Sequence, residues 1–181
     1  DKRMKNDILK VLISEEEIKA KVDEMGRQIS EDYKDKNLLM VSVLKGSVMI
    51  MADLMRAITI PARIDFMSVS SYGNSTVHTT LKILKDLSMP LEGYDLLLVE
   101  DIMDSGRTLY ALREMLQQRH PNSIRVATLL DKPERREADI TPDYFCFNVP
   151  DEFVVGYGLD YAEKYRNLPY IGILKPEVYT K

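Results

Sequence analysis

Leu96-Leu97-Leu98-Val99-Glu100-Asp101-Ile102-Met103-Asp104-Ser105-Gly106-Arg107-Thr108 is the stretch that decides how this chain folds. Four apolar residues in a row predict a buried strand, and two adjacent carboxylates stand where that strand is expected to end. A short turn carrying Asp104, Ser105, Gly106 and Thr108 follows, and a helical pattern begins after it. Loops at the carboxyl ends of strands are where open α/β sheets hold ligands. A helix N-terminus offers free N–H groups and a partial positive charge to a phosphate. Cation-binding and phosphate-binding groups thus fall within one ligand's length, which points to a Mg²⁺–phosphosugar site.

Outward from this stretch, strands alternate with helices. Upstream, Ser14 and Glu17 form a capping box. Ile18, Val22, Met25 and Ile29 then mark one face of a helix running to about Tyr33, whose first turn, Glu15-Glu16-Glu17, suits the helix dipole. Leu38 to Leu44 is apolar on both faces, as central parallel strands are. Lys45-Gly46-Ser47 predicts a tight turn before a helix from Val48 to Ile58, and Pro61 a break before a strand from Ile64 to Val69. Ser70 to Thr80 is poor in large apolar residues and predicts a mobile loop, with a short strand at Ile83-Leu84 beyond it.

Downstream, Leu109, Leu112, Met115 and Leu116 stripe a helix that Pro121-Asn122 stops. Strands are expected from Ile124 to Leu130, Tyr144 to Val149, Phe153 to Val155 and Tyr170 to Leu174. Between them lie a charged connection, Asp131 to Pro142, and a helical turn, Asp160 to Tyr165. The pattern predicts an α/β fold: a mostly parallel central sheet with helices on both faces. The chain ends depart from the alternation and are expected to pack together as a small hood. Residues 1–181 read as one domain, with a core of roughly 35–150 and a hood from the N-terminal segment and roughly 150–181.

A chain of 181 residues, 45% hydrophobic and 30% charged, can bury a sizeable core. The net charge of −4 argues against a general nucleic-acid binder. Apolar runs such as Val48-Met49-Ile50-Met51-Ala52 are too short to span a bilayer. The amino terminus is charged and has no signal-like stretch, so a cytoplasmic location is expected. Lone Cys146 excludes an internal disulfide and fits a reducing compartment. His78 and His120 lie far apart without Cys or His at ligand spacing, which argues against zinc.

Two adjacent carboxylates repel each other unless they bind a cation or orient hydroxyls. Alone, Glu100-Asp101 reads equally as an acidic loop in water, Ser105 as a plain N-cap and Gly106 as a turn residue. In combination with Asp104 and Thr108 the phosphate reading is the better one.

The same residues, Leu98 to Thr108, resemble the phosphoribosyl-pyrophosphate motif of the type I phosphoribosyltransferases, and more narrowly the hypoxanthine-guanine phosphoribosyltransferases. The resemblance continues at Leu44 to Ser47, Ser70 to Gly73, Asp131 to Arg136, Phe153 to Tyr161, Lys164 to Pro169 and Leu174 to Glu177. It implies transfer of a phosphoribosyl group from 5-phosphoribosyl-1-pyrophosphate to a 6-oxopurine base. It further implies Mg²⁺ as cofactor, no nucleic-acid or membrane partner, and a homodimer or homotetramer.

Position by position, the resemblance makes Glu100 and Asp101 holders of the ribose hydroxyls, directly or through Mg²⁺. Asp104 becomes the general acid/base at purine N7. Asp104, Ser105, Gly106, Arg107 and Thr108 cradle the 5′-phosphate. Lys45 and Gly46 meet the pyrophosphate through a cis peptide, together with Ser71, Tyr72 and Arg166. Lys132 donates to the base's O6, Phe153 stacks on the purine, the Val154 backbone reads its far edge, and Asp160 completes the Mg²⁺ shell through water. Read alone, Lys132 is a surface lysine, Phe153 and Val154 are strand core, Asp160 is a helix N-cap and Arg166 forms a surface ion pair. The chain departs from the family at Val77-His78-Thr79-Thr80-Leu81, where relatives carry one further residue, commonly glycine. A nucleotide-sensing regulator on the same fold would add a basic surface, against which the acidic balance speaks. A phospho-acceptor receiver domain would have no use for residues 104–108.

Overall fold

The structure, a computed structural model, describes residues 2–72 and 79–180. Nine strands and five helices follow in the order α1 (Lys2–Asn6), β1 (Ile8–Ile13), α2 (Glu15–Asp32), β2 (Leu38–Val43), α3 (Val48–Ala57), β3 (Ala62–Tyr72), β4 (Thr80–Lys85), β5 (Asp95–Met103), α4 (Arg107–Gln117), β6 (Ser123–Asp131), β7 (Tyr144–Asn148), β8 (Val154–Val155), β9 (Ile171–Leu174) and α5 (Pro176–Tyr179) among the described residues. Helix α2 starts at the expected capping box: Ser14 Oγ accepts from Glu17 N at 3.1 Å, and Glu17 Oε1 accepts from Ser14 N at 3.2 Å. Such a cap is worth about 1 kcal/mol.

The central sheet has the strand order β4-β3-β2-β5-β6-β7 and is parallel except for β4. Its middle strands bury both faces, and successive residues separate into two cores because strand side chains alternate. Leu38, Met40, Leu97, Val99, Ala127 and Leu129 pack with α2 and α3. Leu39, Val41, Leu96, Leu98 and Val126 pack with Leu109, Leu112 and Leu116 of α4. The expected helices on both faces are therefore present. The chain ends form a second, antiparallel sheet, β1-β9-β8, with Ile8, Val155, Tyr165, Leu168 and Leu174 at its core.

Four local expectations are corrected. β5 does not end before the acidic pair but runs on to Met103, because β6 continues alongside it and pairs Glu100 with Thr128 and Met103 with Asp131. Ser70 to Tyr72 and Thr80 are not loop; they belong to a β3–β4 hairpin in which Ser71 pairs with Leu81 and Tyr72 with Thr80, so backbone pairing supplies what apolar burial does not. Residues 73–78, which carry Gly73 and the first two residues of the departure at 77–81, Val77 and His78, lie outside the described residues. Asp160 to Tyr165 is not a helical turn: Ala162 and Glu163 sit at φ 52° and 65°, left-handed values that close a two-residue turn between Tyr161 and Lys164. Finally, Ile8 to Ile13 is a strand and Pro176 to Tyr179 a helical turn, where no element was expected.

Candidate active site

The carboxyl ends of β2, β5 and β6 and the connections that leave them meet at one edge of the sheet. Burial pushes the Glu100 carboxyl well above its usual range, with the neighbouring Asp101 charge adding to it, and burial also pushes Asp101 up. Asp101 Oδ1 accepts from Ile102 N at 2.7 Å. Against its other oxygen lies Gly46, where a Cβ would stand 1.9 Å from Asp101 Oδ2. Only glycine allows the turn after β2 to approach the acidic pair this closely.

The turn from Asp104 to Gly106 is clamped from behind. Gly106, at φ 79°, is the N-cap residue of α4. Ser105 O accepts from Glu137 N at 2.9 Å and Ala138 N at 3.1 Å, and Ser105 Oγ accepts from Arg107 N at 3.3 Å. The Arg136 guanidinium ion-pairs with buried Asp131 and donates to Asp104 O at 3.2 Å and Ile140 O at 2.9 Å. The Arg107 side chain turns aside to Glu137, at 3.1 Å, so its charge is paired behind the turn. A small cavity of about 220 Å³ lies over Glu100, Ser105, Gly106 and Thr108. Thr108 Oγ1 reaches Ser71 Oγ at 3.1 Å, so the β3–β4 hairpin touches this cavity's rim, while the Tyr72 side chain is exposed.

Next to it opens a cleft of about 520 Å³ lined by Asp101, Ile102, Asp104, Lys132, Arg135, Phe153, Val154, Asp160 and Tyr179, among others. Asp104 Oδ1 lies 3.0 Å from Arg135 Nε as an ion pair, and Arg135 bridges on to Asp151 at 3.1 Å. Lys132 is buried, its Nζ donating to Glu152 O at 2.8 Å. Asp160 Oδ2 accepts from Glu163 N at 2.9 Å, and Asp160 Oδ1 lies 3.5 Å from Arg166 Nη2.

Arg166 donates from Nη1 to Gly158 O at 2.7 Å and pairs with Glu163 at 3.1 Å, while its buried Nε has no hydrogen-bond partner among the described residues. Lys45 Nζ meets the same Glu163 at 3.1 Å. The peptide bond before Lys45, Leu44–Lys45, is cis. A larger cavity of about 600 Å³ lies between α2, α3 and residues 157–169, but of the expected site residues it touches only Arg166.

A family model described as the phosphoribosyl transferase domain matches residues 12–162. The chain is 58% identical over 177 residues to the hypoxanthine-guanine phosphoribosyltransferase of Bacillus subtilis, covering 97% of this chain and 98% of that one. It is 55% identical over 179 residues to the enzyme of that name from Streptococcus agalactiae, covering 98% and 99%. A crystal structure of a hypoxanthine phosphoribosyltransferase from Staphylococcus aureus superposes with a TM-score of 0.95 at 51% identity, covering 99% and 98%.

The chain belongs to the phosphoribosyltransferase family. Its full-length likeness to the hypoxanthine-guanine branch makes it a pentosyltransferase of that type.

In this phosphoribosyltransferase the structure brings Glu100, Asp101, Asp104, Lys132, Phe153, Val154 and Asp160 around two adjoining cavities. It sets Lys45 and Arg166 on a shared partner, Glu163, and Ser71 on the phosphate turn instead. Arg135 and Arg136 received no role from the sequence. Two adjacent arginines in a charged connection look like solvated surface, and nothing in their spacing tells that one grips Asp104 and the other the backbone beneath it.

Proposed function

We propose that this phosphoribosyltransferase joins hypoxanthine or guanine to the phosphoribosyl group of 5-phosphoribosyl-1-pyrophosphate, giving IMP or GMP and pyrophosphate. The observation that carries the reading is the cleft that Asp104, Lys132 and Phe153 line together beside the phosphate turn. In that reading a base stacks on Phe153, Lys132 exchanges Glu152 O for the exocyclic O6, and the Val154 backbone meets the far edge. An ammonium donates to O6 but cannot accept from the amino group of adenine, and unpaired buried partners separate bases strongly. The C1′–pyrophosphate bond breaks as the bond from C1′ to the base nitrogen forms, and Asp104 takes or returns the proton at N7. The N–H groups of residues 105–108, with the Ser105 and Thr108 hydroxyls, hold the 5′-phosphate. Lys45, Gly46, Ser71, Tyr72 and Arg166 surround the pyrophosphate, where a planar guanidinium suits paired oxygens.

The donor set fits Mg²⁺. Burial pushes both carboxyls up, and the Asp101 charge adds to the effect on Glu100, a state that a cation relieves; no cluster of three or more ligating side chains occurs among the described residues. Mg²⁺ commonly takes one or two carboxylates plus waters and substrate phosphates. Glu100 and Asp101 would hold it or the ribose hydroxyls, with Asp160 reached through water. When bound, the ion supplies charge neutralisation to the departing pyrophosphate. The reading also carries a cytoplasmic setting, supported by the single buried Cys146, and homo-oligomeric assembly. It treats residues 1–181 as one functional domain.

The test is a substrate panel with phosphoribosyl pyrophosphate, Mg²⁺ and hypoxanthine, guanine, xanthine or adenine in turn. Absorbance changes are expected with hypoxanthine and guanine and not with adenine. No turnover with any of the four overturns the reading.

A further inference from the structure

Phe153 is a large apolar side chain left 36% exposed on the wall of the cleft, which Tyr179 lines as well, so its ring plane needs support from beyond its own segment. Two tyrosines supply it. Tyr179, on the last helical turn α5, stacks on Phe153 with ring centroids 4.8 Å apart and planes 25° from parallel. Tyr161 stands 5.6 Å from Phe153 at 85°, and 6.5 Å from Tyr179. Were Tyr161 on the opposite face of Phe153 from Tyr179, the separation between the tyrosines would approach the sum of the other two distances. At 6.5 Å it falls far short, so Tyr161 sits beside the stacked pair and the second face of Phe153 is left clear of both rings.

The backbone fixes this arrangement. Leu174 N donates to Phe153 O at 2.8 Å, Lys175 N to Asp7 O at 2.9 Å, and Thr180 N to Pro176 O at 3.0 Å. The segment that carries Tyr179 is thereby tied both to Phe153 itself and to the amino-terminal part of the hood.

We propose that Tyr179 is a positioning residue of the base site: it backs one face of Phe153 so that the other face is held in the plane on which a purine stacks. The carboxy-terminal turn is then part of the base-recognition wall, although no reading of the motifs assigns it a role. The proposal rests on the assignment of Phe153 to the base, and the experiment separates the two.

Steady-state kinetics on Y179A, Y179L, Y179F and, as a reference, F153A, varying hypoxanthine and phosphoribosyl pyrophosphate separately, read it out. Y179A and Y179L are expected to raise the KM for hypoxanthine about fivefold, which is what a stacked aromatic pair worth ~1 kcal/mol corresponds to. The KM for phosphoribosyl pyrophosphate and kcat should hold, and Y179F, which keeps the ring, should restore the base KM. Y179L retains apolar bulk and carries the test if Y179A folds poorly. An unchanged hypoxanthine KM in Y179L, with F153A raising it, overturns the role of Tyr179 and leaves Phe153 in place. If F153A also leaves that KM unchanged, the base assignment of Phe153 falls and the proposal with it. Parallel changes in both KM values and kcat, or a Y179F that behaves like Y179L, also overturn it, because loosening of the hood or the hydroxyl would then be responsible.

Discussion

On the phosphate side of the site, Glu100, Asp101, Asp104 and the turn to Thr108 come from one uninterrupted stretch, laid along the end of β5 and into α4. On the base and pyrophosphate side, Lys45, Lys132, Phe153, Asp160 and Arg166 come from connections that are remote in sequence and meet only in space. The first wall is held by sheet pairing and by backbone-directed hydrogen bonds from the 136–138 segment. The second is held by two ion pairs that converge on exposed Glu163, by left-handed turns at Ala162 and Glu163, and by aromatic stacking. Surface ion pairs contribute little, commonly under ~1 kcal/mol. A wall made of them is adjustable, which suits the face that must admit a base and release pyrophosphate, whereas a phosphate cradle gains from being fixed in advance.

Asp104 belongs to the first wall by sequence and touches the second through Arg135. Asp104→Ala is expected to lower kcat with hypoxanthine roughly 10²–10⁴-fold, the size of a lost general acid/base. A near-normal rate would move the proton transfer elsewhere and dissolve the link between the two walls.

Arg136 tests whether the contiguous wall is self-supporting. Arg136→Met leaves Asp131 buried without its partner and removes the donors to Asp104 O and Ile140 O. Urea denaturation should show a loss of about 3–5 kcal/mol. A loss below ~1 kcal/mol would mean that β5 and α4 hold the turn unaided.

The acidic pair gives the smallest effect and a signed one. Because burial raises both carboxyls, the folded chain keeps protons that the unfolded chain has already released between the ordinary carboxylate range and the raised one. Stability in a chelating buffer should therefore fall as pH rises through that interval. Melting curves over about pH 4 to 8 should show this decline in the parent chain and a flatter course in Glu100→Gln. Equal slopes would show that the pair carries no burial penalty.

Legibility followed the same division. The capping box at Ser14, the doubly buried β2 and the stripe of α4 were readable because short-range periodicity determines them. β1 was not, because Ile8 to Ile13 becomes a strand only by pairing with β9, more than 150 residues away. The end of β5 was misplaced because the acidic pair marks chemistry, while strand length is set by the reach of β6.

By itself, the sequence determined the alternation of strands and helices, the acidic pair and the phosphate turn, since each is written in neighbouring residues. The family resemblance added names to Lys132, Phe153, Asp160 and Arg166. Only the tertiary structure decided that Gly46 lies against Asp101, that Arg136 grips the turn and that Tyr179 backs Phe153. Those contacts join segments whose separation in sequence carries no periodic signal, and they are selected by packing and by the pairing of buried polar groups.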